Sequence, residues 1–130
     1  HNLKYTDKTL LRLCSDKKLI NIKQGYTKCS ILPLTETAFI TNDNGIYNKL
    51  SKENFDILLL PFGDILLPGL DYGFIGGVGG MISKETMAFF GSLDFYKYGE
   101  NVKNFLNKYN IKPLYLRKGK LIDRGSLFVL

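Results

Sequence analysis

The fold is decided by residues 56–80, whose sequence is DILLLPFGDILLPGLDYGFIGGVGG. The apolar run at residues 56–60 predicts a buried strand. A tight connection at Phe62-Gly63-Asp64 and a return strand at residues 65–67 are expected to complete a hairpin. The glycine-rich residues 68–80 then cross to a strand that ends at Met81-Ile82. This stretch therefore predicts a β-rich unit whose last part is lined by glycines.

Helices and strands alternate in the rest of the chain. Apolar residues recur at helical spacing, and so predict helices, at residues 5–14, 46–54 and 100–109. Alternating or short apolar runs predict strands at residues 19–23, 28–34, Ala38–Thr41, 87–90, 113–116, 120–122 and 126–130. Turns are predicted at residues 42–45 and at Lys118-Gly119, the second within a hairpin. The order of elements predicts an α/β fold.

Parts of this pattern repeat along the chain. Residues 25–39 (GYTKCSILPLTETAF) resemble residues 73–89 (GFIGGVGGMISKETMAF), and Asp71-Tyr72-Gly73 recurs as Asp123-Arg124-Gly125. The period is roughly 50 residues, which is typical of propeller and solenoid repeats. The alternative is chance similarity in a biased composition. We predict incomplete β/α propeller repeats, about two to three modules, with approximate units at residues 1–36, 37–85 and 86–130.

Composition narrows the classes of function. The chain has 130 residues, of which 45% are hydrophobic and 23% charged, so it is expected to form one domain or part of one. The net charge is +6, but arginine, the side chain best suited to phosphate and base contacts, occurs only at Arg12, Arg117 and Arg124. Nucleic-acid binding is therefore not expected.

The few cysteines and histidines indicate the cellular compartment and whether a metal site is expected. The chain has 2 cysteines, Cys14 and Cys29, and 1 histidine, His1, without a CxxC motif. This usage is typical of a cytoplasmic protein without a disulfide framework, and no metal site or cofactor is expected. Proline, glycine and aspartate interrupt the longest apolar run, residues 57–70, so a membrane partner is not expected either.

Several motifs resemble one known fold. The repeat length is similar to that of the pentein fold, the five-fold pseudo-symmetric β/α propeller of the guanidino-group-modifying enzymes. The motifs GYTKCSI, AFITNDNGI, YGFIGGVGGMI and GSLFVL resemble an uncharacterised bacterial family that is assigned this fold. The resemblance implies a single pentein-like domain, or its C-terminal portion, that would depend on missing N-terminal modules or on a second copy in a homo-oligomer.

The resemblance also implies where catalytic groups would stand. In the enzymes of this fold a late cysteine attacks the guanidinium carbon, a histidine moves protons, and paired carboxylates hold the cation. The matching segments here are residues 123–128 (DRGSLF), without cysteine, and residues 91–96 (GSLDFY), where only Tyr96 takes the place of a histidine. The chain is therefore expected to bind a ligand rather than to catalyse a reaction.

Cys29 is the candidate nucleophile if the chain is an enzyme after all. The neighbouring Lys28 would favour a reactive thiolate. However, adjacent residues of a strand point to opposite faces, so Lys28 and Cys29 are not expected to meet. The favoured alternative is that Cys29 is a small buried residue of a core strand. The enzyme alternative is a cysteine-dependent amidine or guanidine hydrolase or transferase whose other catalytic residues lie outside this chain.

The glycine run at residues 73–80 has two interpretations. Its backbone N–H groups are suited to binding an anion, or the glycines mark a close approach of two backbones. It lacks the Gly-Lys-Ser/Thr of a phosphate loop. Aspartates at strand ends either bind a cationic ligand or cap turns; these are Asp43, Asp71, Asp94 and Asp123.

The expected function is binding of a small polar or guanidino-type ligand. The candidate ligand-binding residues are Lys28, Asp71, Tyr72, Gly76, Gly77, Asp94 and Asp123. A third hypothesis is a structural self-assembly module, in which open sheet edges pair with a second copy.

Overall fold

Two three-stranded sheets form the framework of residues 2–129, the part of the chain that the computed structural model describes. The strands are β1 (Ile31–Pro33), β2 (Ala38–Thr41) and β3 (Asp56–Leu59) in the first sheet, and β4 (Gly79–Ser83), β5 (Thr86–Phe89) and β6 (Lys112–Tyr115) in the second. Within the described residues neither sheet closes into a barrel. The expectation of a mixed α/β fold is confirmed.

Both sheets have the same connectivity. The strand order follows the chain, with the first pair antiparallel and the second pair parallel. The helices are α1 (Lys8–Leu13), α2 (Thr27–Ser30), α3 (Asn44–Ser51) and α4 (Gly99–Lys108). Because parallel strands need a crossover connection, α3 joins β2 to β3 and α4 joins β5 to β6.

The crossover helices form where the sequence pattern is helical. Asp43 accepts a hydrogen bond from the Ile46 N–H at 2.7 Å and so caps α3. Along α4, Val102 and Leu106 are buried one turn apart, while the polar residues between them face outward. None of the described helices is long and apolar enough to cross a membrane.

One hydrophobic core joins the two sheets. Leu32 and Ile40 of the first sheet belong to the same buried cluster as Met87 and Phe89 of the second. Among residues 2–129, Phe89 is the largest fully buried side chain. The sheets are therefore expected to unfold together, because burial of apolar area is shared between them.

Both predicted hairpins are wrong. Residues 65–67 do not return along β3, which pairs in parallel with β2. Leu66 instead forms an isolated parallel bridge with Ile122. The same bridge accounts for residues 120–122, which do not pair with β6. The chain turns away after β3 because Gly63 and Asp64 adopt φ angles of 101° and 60°.

Three other predicted strands also differ. Residues 19–23 form no strand, and residues 28–34 begin as α2 and become a strand only at β1. Cys29 is consequently an exposed residue of a helical turn, and the prediction that it lies buried on a core strand is wrong. Residues 126–129 form no strand, and Leu130 of that predicted strand lies outside the described residues.

The Tyr96 side chain places a hydroxyl in the core. Tyr96 is 5% exposed, and its hydroxyl has no hydrogen-bond partner of good geometry among residues 2–129. The side chain of Asn42, which lies close to this hydroxyl, already bonds three backbone groups. Burial is the main cause that raises the pKa of Tyr96 to about 12.

We expect the Tyr96→Phe variant to be as stable as the parent protein, or more stable by about 1 kcal/mol, because an unpaired buried hydroxyl costs free energy. Urea denaturation measures the change. Tyr109→Phe is the matched control, since the Tyr109 hydroxyl donates to Asp56 and its loss is expected to destabilise by about 1 kcal/mol. A loss above about 1 kcal/mol for Tyr96→Phe would show instead that the hydroxyl is satisfied, for example by buried water.

Candidate functional site

A groove of about 420 Å³ lies beside α2 and the glycine run, and we call it the Lys28 groove. Its walls come from α2, the end of β1, the β1–β2 connection, β4 and the segment 127–129. The lining residues are Lys28, Pro33, Leu34, Thr35, Glu36, Gly79, Gly80, Met81, Leu127, Phe128 and Val129. The groove carries one ammonium and one carboxylate among largely apolar walls.

Lys28 is linked to the glycine run through Ser126. The Lys28 ammonium donates to Ser126 Oγ at 2.7 Å, and Ser126 Oγ donates to the Gly76 carbonyl at 2.7 Å. The Lys28 ammonium also lies 5.2 Å from the centre of the Phe128 ring. Ser126 holds φ at 102°, a costly conformation for a residue with a side chain. The two hydrogen bonds of its hydroxyl stabilise that conformation.

Gly76 brings two backbones into contact. A Cβ at this position would lie 2.4, 2.5 and 2.6 Å from the carbonyl oxygens of Lys28, Cys29 and Ile31. No other residue type fits here without moving the backbone of α2 or β1. This contact supports the close-approach interpretation of the glycine run.

The N–H groups of the glycine run are mostly engaged within the chain. The N–H groups of Phe74 and Ile75 donate to the side chains of Asp123 and Asn42. Those of Gly73 and Gly77 donate to backbone carbonyls. The run therefore offers little N–H capacity to an anion, and its role near the groove is to shape the backbone.

Asp123 anchors the glycine run to the segment that follows. Its carboxylate accepts from the Phe74 N–H at 2.9 Å and from the Gly125 N–H at 3.0 Å. A Cβ on Gly77 would overlap this carboxylate. Asp123 thus acts as a turn-capping aspartate here. Lys28, Gly76, Gly77 and Asp123 are the predicted site residues that the structure brings together.

Asp71 and Tyr72 lie on an exposed loop beside an aromatic cluster. The Tyr72 ring packs 5.4 Å from Phe62 and 6.0 Å from Phe74, measured between ring centres. Asp71 forms no hydrogen bond or ion pair within residues 2–129. Neither residue lines the Lys28 groove. This loop exposes apolar side chains, including Leu70, and exposed apolar patches can mark protein interfaces. The self-assembly hypothesis stays a prediction.

Asp94 belongs to a separate ion-pair cluster at the start of α4. Its carboxylate accepts from the Lys103 ammonium at 2.7 Å and from Ser92 Oγ at 2.9 Å. These two contacts, with Lys103 the larger cause, lower the pKa of Asp94. Asp94 does not line the Lys28 groove. Its contacts are confined to the start of α4.

The sequence analysis missed one residue that lines the groove, Glu36, and one that bonds Lys28, Ser126. Glu36 had a signal, since it recurs as Glu85 in the repeat, but its turn position gave no reason to place it beside Lys28. Ser126 follows the repeated Asp-x-Gly, yet its partner Lys28 is 98 residues away in the chain.

The described residues give little support to nucleophilic catalysis by Cys29 or to metal binding. Cys29 is exposed and has no hydrogen-bond or ion-pair partner among residues 2–129. Its surroundings therefore supply no base for the nucleophile role. Within the same range, no three His, Cys, Asp or Glu side chains form a group that could hold a metal ion.

Comparisons with known proteins place the chain in a family. No curated protein matches it. A matching solved structure is SxtG, an amidinotransferase from Microseira wollei in the saxitoxin biosynthetic pathway, with 19% identity and a TM-score of 0.48. The match covers 83% of this chain but 32% of that one, so the chain spans about a third of its length. A family model described as a family of unknown function matches residues 1–128. The chain belongs to this family of unknown function, DUF6873.

Proposed function

We propose that the chain binds a small polar molecule in the Lys28 groove without transforming it. The observation that carries this proposal is that Lys28 and Glu36 line one groove of about 420 Å³. Small-molecule sites are concave and mostly apolar, with a few polar groups that fix the ligand's orientation. Leu34, Met81 and Phe128 line the same groove and supply apolar wall.

The charges define the ligand class. Lys28 uses one N–H on Ser126 and keeps two donors for a carboxylate. Glu36 has no hydrogen bond or ion pair within residues 2–129, so its carboxylate is free to pair with a guanidinium through two parallel hydrogen bonds. A ligand with a guanidino group at one end and a carboxylate at the other meets both charges. The guanidino class is also what the sequence resemblance implies.

We also infer that the chain is a section of a pentein-like propeller. The shared connectivity of the two sheets supports this, because each repeats the same strand, hairpin and crossover helix. The bridge between Leu66 and Ile122 supports it too, since these residues follow β3 and β6 at corresponding places.

Calorimetric titration with L-arginine tests the groove. We expect saturable binding at millimolar concentration or below, weakened about tenfold by Lys28→Gln and by Glu36→Gln, since each removes a charge-assisted contact. Lys118→Gln is the control, because Lys118 lies on an exposed turn and does not line the groove. Agmatine, which lacks the carboxylate, is expected to lose the dependence on Lys28 but to keep that on Glu36.

Two outcomes would count against the proposal. One is the absence of saturable arginine binding, or binding that both groove variants leave unchanged. The other is release of urea or ornithine from arginine that Cys29→Ala abolishes, which would favour the cysteine-dependent enzyme.

A further inference from the structure

A second cavity, of about 510 Å³, is lined by the first sheet's connections. It is formed by the chain that precedes α2, by Asp43 and by residues of α3. The lining residues are Asn21, Ile22, Lys23, Gln24, Asp43, Gly45 and Lys49. It shares no lining residue with the Lys28 groove.

The lining ammonium groups have spare capacity. Lys23 forms no hydrogen bond or ion pair within residues 2–129. Lys49 pairs with Glu53 at 3.5 Å, and that carboxylate also pairs with Lys18 at the shorter distance of 2.8 Å. Lys23 therefore has no counter-ion among residues 2–129, and Lys49 shares the single charge of Glu53 with Lys18.

The lining carboxylate, in contrast, is already in use. One oxygen of Asp43 caps α3 by accepting the Ile46 N–H. Because Asp43 caps the helix, the Ile46 N–H is not available to a ligand. The lining retains one negative charge against two positive ones.

The neutral polar groups add donors. Asn21 Oδ1 accepts the Leu3 N–H at 2.9 Å, which orients its carboxamide and leaves the NH₂ group as its free donor. Gln24 brings a second carboxamide to the lining. Ile22, which is buried, adds apolar surface to the lining. A concave site that combines apolar surface with several donors is suited to a small anion.

We infer that this cavity is a second binding site, for a small anion of the dicarboxylate or phosphate type held between Lys23 and Lys49. The inference does not depend on the arginine site, because the two cavities are lined by different residues. Lys49 belongs to α3, and Lys23 belongs to the segment that precedes α2. An anion that bridges them would also tie the residues 21–24 to α3.

Titration with succinate and with inorganic phosphate, each at constant ionic strength, tests the inference and separates the two anion types. We expect at least one of the probes to bind, and the double variant Lys23→Gln/Lys49→Gln to weaken that binding about 100-fold, or about tenfold for each lysine. Lys52→Gln is the matched control, since Lys52 follows α3 and lines neither cavity. Lys28→Gln is expected to leave this binding unchanged.

The inference is overturned if neither probe binds, or if the double variant and Lys52→Gln weaken binding equally, which would indicate a diffuse surface charge effect. Circular dichroism and thermal unfolding of each variant establish that it is folded. A failure of succinate and phosphate alongside Lys28-dependent arginine binding would reject this site alone, and the converse would reject the arginine site alone.

Discussion

Gly76→Ala is expected to destabilise the protein by about 3 kcal/mol or more, because the added methyl group overlaps backbone that cannot yield cheaply. The Cβ would lie within 2.6 Å of carbonyl oxygens of Lys28, Cys29 and Ile31. These carbonyls belong to α2 and the first residue of β1, so relief of the overlap requires the two backbones to separate. The hydrogen bond from Ser126 to the Gly76 carbonyl would be strained as well.

Gly25→Ala is the matched control for Gly76→Ala. A Cβ on Gly25 would meet no atom within 4 Å, and its φ is not in the left-handed region, so alanine is expected to be neutral or slightly stabilising. Guanidinium denaturation of both variants measures the difference. Equal stability of the two variants would show that α2 and the glycine run do not lie as close as the structure places them.

Asn42→Ala is expected to destabilise by about 3 kcal/mol, because it leaves several buried polar groups without partners. Asn42 is 3% exposed. Its amide donates to the carbonyls of Leu60 and Pro61 at 3.3 and 3.0 Å, and its Oδ1 accepts the Ile75 N–H at 3.0 Å. One side chain thus connects the end of β2 to the chain after β3 and to the glycine run.

Asn44→Ala, two residues along the chain, is the control for Asn42→Ala. Asn44 is exposed at the start of α3, and its loss is expected to change stability by no more than about 0.5 kcal/mol. Urea unfolding monitored by circular dichroism compares the variants. A loss below about 1 kcal/mol for Asn42→Ala would mean that water replaces the amide and that the connection is not rigid.

Local features of the fold were predictable from the chain. The periodic apolar residues of α4 and the short apolar run of β2 identify elements with almost the observed bounds. Asp43, expected to cap a turn or to bind a cation, caps the helix α3 through a bond to a residue three positions away. In each case the deciding interactions join residues that are neighbours in sequence.

The pairing of strands, in contrast, could not be predicted from local patterns. An alternating or apolar run indicates which face of a strand is buried, but it does not identify the strand that pairs with it. Leu66 was expected to belong to a return strand along β3, yet it pairs with Ile122. Pairings of this kind depend on packing of the whole core, because many alternative partners satisfy the same local pattern.

Some features of the candidate site were also predictable from the sequence, and others depend on tertiary packing. The sequence offered a close backbone approach as one of two interpretations of the glycine run, and it drew attention to Lys28, Gly76, Gly77 and Asp123. The tertiary structure shows what approaches the glycines, that Glu36 lines the groove and Ser126 bonds Lys28, and that Asp71 and Asp94 lie elsewhere. The physical reason is that a glycine's freedom is a property of one residue, whereas a binding groove is made by side chains that only long-range packing brings together.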